Sequence, residues 1–548
     1  MIEAKAFGIY PGIEIAEALT KMLKQLKTEE QPCTVVFEKG IYYISAEKLP
    51  VRKMYVTNTV GDNEWRPGEA PHENRAGFLL EGLGQVTLEG NGAEFILLGQ
   101  ATNIALLNCT DVVIRNLRIT SFQPDMHELT VVKTGPFYAD FQLDAESQYT
   151  KTQKGYCFIG EGYCTEFLDS RTTAHWIGKI NGKDLGNLKR TGHPFCSAVR
   201  MREQKDHLFR IYDPAALRFK KGDRYELFDV RRKYNGIFID QCQNIRLDGI
   251  EQNFNYGLAL VAQNSDTLTF SNLRFAPRKE GPRLMASVAD FIQICMCRGQ
   301  VTIRDSIFEG AGDDCLNAHG IHFKIVKKEG NTITVRFMHP QSHGFNPLRI
   351  GDRITYVDPD TLLCSGESEI LSSEQIDEYQ ILLHLNGPAK AECGAVIEDI
   401  DAIPDLTFEG NRLDRIITRG LLLTIRGRVR IRNNRFIHTT MNNILISDDA
   451  KNWYESGCVR DVVIEKNEFL ACPEHTVSIK PENRRHAGAV HSGIVIRNNT
   501  ILTPSYQIKS ADRVAIYKNN NHRAAKMKIT NSSVSGAERV NMFGSENQ

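Results

Sequence analysis

One short pattern of alternating apolar and polar positions recurs along most of the chain. A strand-length run, with a β-branched residue or leucine at every second position, ends in a polar corner that is often asparagine. It reads QVTLEGN at Val86 and DVVIRNL at Val112, then NIRLDGI at Ile245, TLTFSNL at Leu268 and QVTIRDS at Val301. It returns as DLTFEGN at Leu406, RVRIRNN at Val429, DVVIEKN at Val462, GIVIRNN at Ile494 and RVAIYKN at Val514. Alternation over a few residues is the mark of a strand with one buried face.

The spacing of these runs predicts how they assemble. Val86 and Val112 are 26 residues apart, and Ile245–Leu268 and Leu406–Val429 are each separated by 23. Other intervals are longer, as if one corner carried a loop. Such a period belongs to a solenoid. Strand density and asparagine corners point to a parallel β-helix whose coils stack about 4.8 Å apart. Asparagine at matched corners bonds along the stack and tolerates left-handed backbone angles. A meandering β-sandwich would not produce ten matched segments. The expected fold is all-β, a right-handed parallel β-helix solenoid.

Two intervals are too long for loops: 133 residues from Val112 to Ile245 and 105 from Val301 to Leu406. Subtracting one coil leaves inserts of roughly 110 and 80 residues. Both read as small β-barrel-like modules, and KKGDRYELFD in the first is similar to RIGDRITYVD in the second. These hairpins predict two similar barrels, which either wall a cleft or decorate the solenoid. Residues 13–28, IEIAEALTKMLKQLKT, have helical apolar spacing and predict an N-terminal helical cap over the open strand edges. CTVVFEKGIYYIS then reads as the first strand pair. The expected division is 1–130 cap and first coils, 131–233 first insert, 234–321 central coils, 322–402 second insert, and 403–548 C-terminal coils and tail.

Composition narrows the function classes. Lys plus Arg and Asp plus Glu both number 67, so no net positive charge favours nucleic acid. No apolar run of about 18 residues predicts a membrane span. The opening MIEAKAFGIYPG lacks the order of a signal peptide. A cytoplasmic protein is expected, or a periplasmic or secreted one whose leader was trimmed. Thirteen cysteines without a CxxC pair read as buried free thiols, and no cofactor is expected. Cys295 and Cys297, two apart on a strand, are expected to share one inward face. The β-helix sides and the inserts offer surfaces for a homo-oligomer.

The chemistry gathers at EGAGDDCLNAHG, residues 309–320. DFIQI begins at Asp290 and DCLNA at Asp314, 24 residues later, which is one coil. Asp290 and Asp314 should occupy matched positions on neighbouring coils, with Asp313 beside them at a glycine-rich corner. Like charges in close proximity push one carboxyl pKa upward. Glycoside hydrolysis needs that pairing: a protonated acid for the leaving oxygen and a carboxylate for water or carbon. Calcium binding and a structural aspartate stack are the alternatives.

GAGDDCLNAHG resembles the GDDC signature of the pectin-hydrolysing polygalacturonases, which are β-helices with three aspartates in this arrangement. Val288-Ala289 stand where those enzymes carry Asn-Thr, and no counterpart of their Arg-x-Lys segment is found. Both departures argue against a uronic-acid substrate. The chain more closely resembles glycoside hydrolase family 110, the α-1,3-galactosidases acting on blood-group-B-type and related glycans. ADF…GDDCLNAHG, IGDRITYVDPDTL, ITRGLLLTIRGRVRIRNNRF and NILISDDAKNWYESGCVRDVVIEKNEF carry that resemblance. It implies exo-acting, inverting, metal-free removal of terminal galactose from an α-galactosyl glycan, with Asp290, Asp313 and Asp314 catalytic. Asp313 or Asp314 is expected to be the acid, with Asp290 and the other aspartate activating water. The competing functions are a polygalacturonase-like hydrolase of another polysaccharide and a non-catalytic carbohydrate-binding β-helix.

Four further residues are candidates for substrate binding. NWYESG reads as a corner loop in which Trp453 stacks on a sugar face and Glu455 accepts from hydroxyls. Arg419 is expected at a coil position near Phe291, beside Asp290, pairing with a carboxylate or a sugar oxygen. His319, five residues beyond Asp314, tunes an aspartate or binds a hydroxyl.

Overall fold

The repeated segments stack as the alternation predicts. The computed structural model describes residues 1–61, 64–65, 68–153, 155–160, 163–166, 172–179, 195–229, 231–536 and 540–542. In parallel register Val112 lies on Ile245, Ile245 on Leu268, Leu268 on Val301, and Val301 on Leu406. The column continues through Val429, Val462, Ile494 and Val514. All of these side chains are buried, so the alternating pattern becomes one continuous apolar seam along the solenoid axis. A second parallel sheet runs alongside, through Ile237–Asp240, Leu260–Gln263, Ile292–Cys295, Leu316–Ile321 and Leu421–Thr424. The molecule is a parallel β-helix.

The asparagine corners divide their labour between two residues. In RNN and its variants the first position takes the left-handed conformation: Asn433, Lys466, Asn498 and Lys518 all have φ near 57°. The second position builds a ladder. Asn467 Oδ1 accepts from the Asn434 backbone N–H and side-chain amide, each at 3.0 Å, and Asn499 Oδ1 does the same for Asn467. Each ladder amide also donates to a strand carbonyl, as Asn467 does to Ile431 at 2.9 Å. These buried polar groups are thus paired with one another instead of being orphaned.

The helix at Ala16–Gln25 buries Ala16, Leu19, Met22 and Leu23 and packs on the strand Glu73–Glu81. Cys33–Val36 and Ile41–Ser45 do not pair with each other. Each lies in parallel against Val86–Leu98, as successive sides of one coil. Among the described residues no helix is long and apolar enough to cross a membrane.

Both inserts leave the solenoid undisturbed, because the strands on either side of each insert stack directly on one another. The second forms a closed antiparallel barrel from strands between Phe323 and Asp399, around Phe323, Ile333, Tyr356 and Leu383. The described residues of the first form a six-stranded antiparallel sheet and a three-stranded one, with their own core of Leu129, Phe141, Phe209 and Leu227. The expected likeness of the two hairpins does not extend to pairing. Arg353–Val357 pairs with the following strand, Cys364–Gln375, whereas Asp223–Asp229 pairs with the distant strands His127–Gly135 and Thr172–Lys179.

Cys295 and Cys297 do not share a face. Met296 between them takes a left-handed conformation, φ 52°, and turns the chain. Cys295 packs into the barrel core and Cys297 into the solenoid core. The barrel is therefore seated on the outer face of the second sheet.

Candidate active site

Close packing at the glycine corner brings the acidic residues together. A Cβ at Gly310 would lie 2.3 Å from the Leu284 carbonyl oxygen, and one at Gly312 would lie 2.4 Å from that of Val288. Only glycine lets this corner press against the coil before it. Beyond the corner Leu316 pairs with Ile292, so Asp314 falls in register with Asp290. The Asp314 backbone N–H donates to Asp290 Oδ1 at 3.3 Å. Both side chains are almost wholly buried, and Asp313 beside them is partly open.

The next coil adds a cation to this column. Leu421 pairs with Leu316, which sets Arg419 in register with Asp314 and Asp290 rather than with Phe291. The Arg419 backbone N–H and Nε donate to Asp314 Oδ1 at 3.0 and 2.8 Å, and the Thr418 hydroxyl donates to the same oxygen at 2.5 Å. Asp313 lies between two guanidinium groups, with Arg419 Nη2 at 4.0 Å and Arg232 Nη1 at 3.9 Å. Burial, reinforced by the negative charges of Asp313 and Asp314, pushes the Asp290 carboxyl well above the ordinary range. Burial also raises Asp314, and the Arg419 charge opposes that rise. A buried carboxyl whose charged form is disfavoured holds its proton longer and, once ionised, is a stronger base.

A depression adjoins the aspartates on the same strands. Gln293 and Asn317 pair side by side, three residues beyond Asp290 and Asp314, or about 10 Å along the strand. His319 Nδ1 donates to the Gly320 carbonyl at 2.8 Å, which leaves Nε2 to accept from the Gln293 amide at 2.9 Å. Glu455 Oε1 accepts from Asn317 Nδ2 at 2.9 Å and stands 3.7 Å from His319 Nε2. The barrel supplies Phe337, Met338, His339 and Ser342 to the rim of a narrow depression, and the loop supplies Trp453 and Tyr454. Trp453, nearly half exposed, stacks on His339 with ring centroids 4.4 Å apart. The second insert thus walls a cleft.

Among the described residues, four buried acceptors around this region have no hydrogen-bond partner: Asn58 Oδ1, Gln293 Oε1, Asp313 Oδ1 and Asn317 Oδ1. Buried acceptors are normally paired, and a set left open beside a cleft suits a ligand rich in hydroxyl donors.

Comparison with known proteins places the chain in a family. A family model described as GLAA-B beta-barrel domain II matches residues 332–395, within the closed barrel. The α-1,3-galactosidase A of Bacteroides fragilis (strain YCH46) is 30% identical over 502 residues, covering 88% of this chain and 80% of the relative. The chain belongs to the α-1,3-galactosidase family. Like other members of that family it is a glycoside hydrolase. The α-1,3-galactosidase A of Bacteroides thetaiotaomicron is 29% identical over 91% of this chain and 87% of the relative. The α-1,3-galactosidase B of Phocaeicola vulgatus is 27% identical over 95% of this chain and 89% of the relative. Among solved structures, the Yersinia enterocolitica family 28 exopolygalacturonase superposes with a TM-score of 0.40 at 10% identity, covering 98% of this chain and 79% of that one.

For this α-1,3-galactosidase family member, the sequence candidates fall into two groups. Asp290, Asp313, Asp314 and Arg419 form one cluster; His319, Trp453 and Glu455 line the adjoining depression. Sequence reasoning missed Arg232, Asn58, Gln293, Asn317, Thr418 and His339. Gln293 and Asn317 had a signal: each is a polar residue inside an otherwise apolar strand, at matched positions one coil apart. Arg232 and His339 had none, since they come from the exit of one insert and from within the other.

Proposed function

We propose that the protein is an exo-acting, inverting α-1,3-galactosidase that removes terminal α-1,3-linked galactose from blood-group-B-type branched glycans, linear Galα1-3Gal glycans, or both. The observation that carries this reading is the convergence of three carboxylates on adjacent coils, next to a walled depression with unpaired acceptors. A terminal sugar would approach the depression from the side that the barrel leaves open. Its hydroxyls supply the donors that Gln293 and Asn317 lack, and Trp453 offers an apolar face for stacking.

In this reading Asp313 or Asp314 gives the leaving oxygen its proton. Asp290 and the other of the two direct water to the opposite face of the anomeric carbon. Burial, with repulsion from neighbouring carboxylates, raises both Asp290 and Asp314, so a proton is held within the cluster. Arg419 fixes Asp314 and balances its charge.

The test is incubation with Galα1-3Gal, followed by NMR of the released sugar. Initial β-galactose is the expected product. Initial α-galactose would overturn inversion, and no release of galactose from linear or fucosylated branched substrates would overturn the proposal.

A further inference from the structure

Away from the aspartates, two cysteines from distant parts of the chain meet at the seam between barrel and solenoid. Cys364 begins the barrel strand Cys364–Gln375 and is exposed. Cys458 is buried and follows the short strand Glu455–Ser456, three residues beyond Glu455. Their sulfurs are 4.0 Å apart, across 94 residues of sequence. A disulfide needs about 2.0 Å, so a modest side-chain movement closes the gap.

The surroundings differ for the two sulfurs. Arg426 Nη2 is 2.8 Å from Cys364 Sγ. Hydrogen bonding with Cys458, against burial and with help from the Arg426 charge, draws the Cys364 thiol down to about 6. The same bond and burial push Cys458 well above the ordinary thiol range. One sulfur is exposed beside a cation, and the other is buried.

Glu398 completes a group whose ligand atoms lie within 4.8 Å of one another, which is compact enough for a metal ion. Both Glu398 oxygens, however, are held by Arg426, with Nε at 2.8 Å and Nη2 at 2.6 Å. A permanent cation already occupies the place a metal would neutralise. The arrangement favours sulfur chemistry over coordination.

We propose that Cys364 and Cys458 form a thiol-oxidation site, in which Cys364 reacts with a peroxide and Cys458 resolves the product to a disulfide. The Cys364 thiolate attacks one peroxide oxygen, the O–O bond breaks, hydroxide leaves, and a sulfenic acid remains. The Cys458 sulfur then attacks the sulfenic sulfur. Its proton and the departing hydroxyl form water, and the S–S bond closes. Two thiol sulfurs are oxidised, and hydrogen peroxide is reduced to water and hydroxide.

The bond would tie the barrel to the strand that presents Glu455. That strand is held firmly: Ser456 and Glu455 pair with Gly320 and Ile321, and Gly457 sits where a Cβ would be 1.9 Å from the Thr424 carbonyl oxygen. Oxidation therefore clamps the barrel wall onto the loop side of the depression.

The experiment treats the reduced full chain with equimolar hydrogen peroxide, alkylates free thiols, and maps peptides by mass spectrometry. The expected result is a cross-link joining the Cys364 and Cys458 peptides, loss of two alkylatable thiols, and reversal by dithiothreitol. Cys458→Ser should stop at a Cys364 sulfenic acid that dimedone captures, and Cys364→Ser should abolish the cross-link. Persistence of both free thiols in the wild-type chain, or preferential cross-linking of other cysteines, would overturn the proposal. So would stoichiometric zinc binding that protects both thiols. None of these readouts depends on the substrate proposed above.

Discussion

Asp314 donates its backbone N–H to the carboxylate of Asp290 while its own carboxylate is gripped by Thr418 and Arg419 from the coil above. Three successive coils thus converge on two acidic side chains. The solenoid's vertical repeat delivers the groups, and the glycine corner at residues 310–312 sets how closely they approach.

Asp313→Asn and Asp314→Asn should each lower turnover by about 10²- to 10⁴-fold, the usual scale of acid–base catalysis. Circular dichroism should stay unchanged, because asparagine keeps the volume and most of the hydrogen bonds. Near-normal turnover in either variant would remove that residue from the proposed mechanism.

Stability should depend on pH through Asp290. Its folded pKa lies above the unfolded value, because of burial first and neighbouring charges second. Such a group favours the fold fully below its unfolded pKa, near about 4. That favour is lost as pH rises through the folded value. Asp290→Asn cannot ionise and escapes the loss. The melting temperature of Asp290→Asn minus that of wild type should therefore climb between about pH 4 and pH 8. A difference that stays flat across that range would contradict the assignment.

Arg419→Ala should destabilise the fold by about 3–5 kcal/mol, because it leaves Asp314 buried beside like charges without its partner. Arg419→Lys keeps the charge but loses the fixed guanidinium geometry, so it should fall between alanine and wild type. Urea unfolding of these two variants, of Asp314→Asn and of Arg419→Ala/Asp314→Asn would test the coupling. Simple additivity of the single changes would mean that the pair does not interact as described.

Trp453→Ala should reduce kcat/KM roughly 2- to 10-fold through KM, the scale of one aromatic stacking contact. The catalytic step should be spared, since Trp453 lies on the rim with His339 behind it. A fall in kcat with KM unchanged would place Trp453 in a different role.

The solenoid could be read from sequence because its signal repeats: every coil buries the same alternate positions, and Asp290 and Asp314 inherit their match from that period. The corners were harder. Asparagine was expected to serve both backbone angle and ladder, whereas Asn433 takes the first role and Asn434 the second. Corner lengths vary, so counting misplaced Arg419 by one residue, and a turn at Met296 separated two cysteines that alternation had put together. His339 and Arg232 reach the site through inserts whose placement no local pattern encodes. Side chains brought in by such long detours become visible only once the chain is folded.

The direct stacking of Val112 on Ile245 and of Val301 on Leu406 has one more consequence. Each insert leaves and rejoins the solenoid at a single coil step, like a side loop spliced into a continuous thread. The aspartates belong to the thread, while the Phe337–Ser342 rim belongs to a spliced loop. In the proposed reading the acids lie wholly in the thread, and the spliced loop adds one wall of the sugar-facing depression. A lineage could exchange the barrel to suit a different neighbouring sugar without redesigning the acids beneath it.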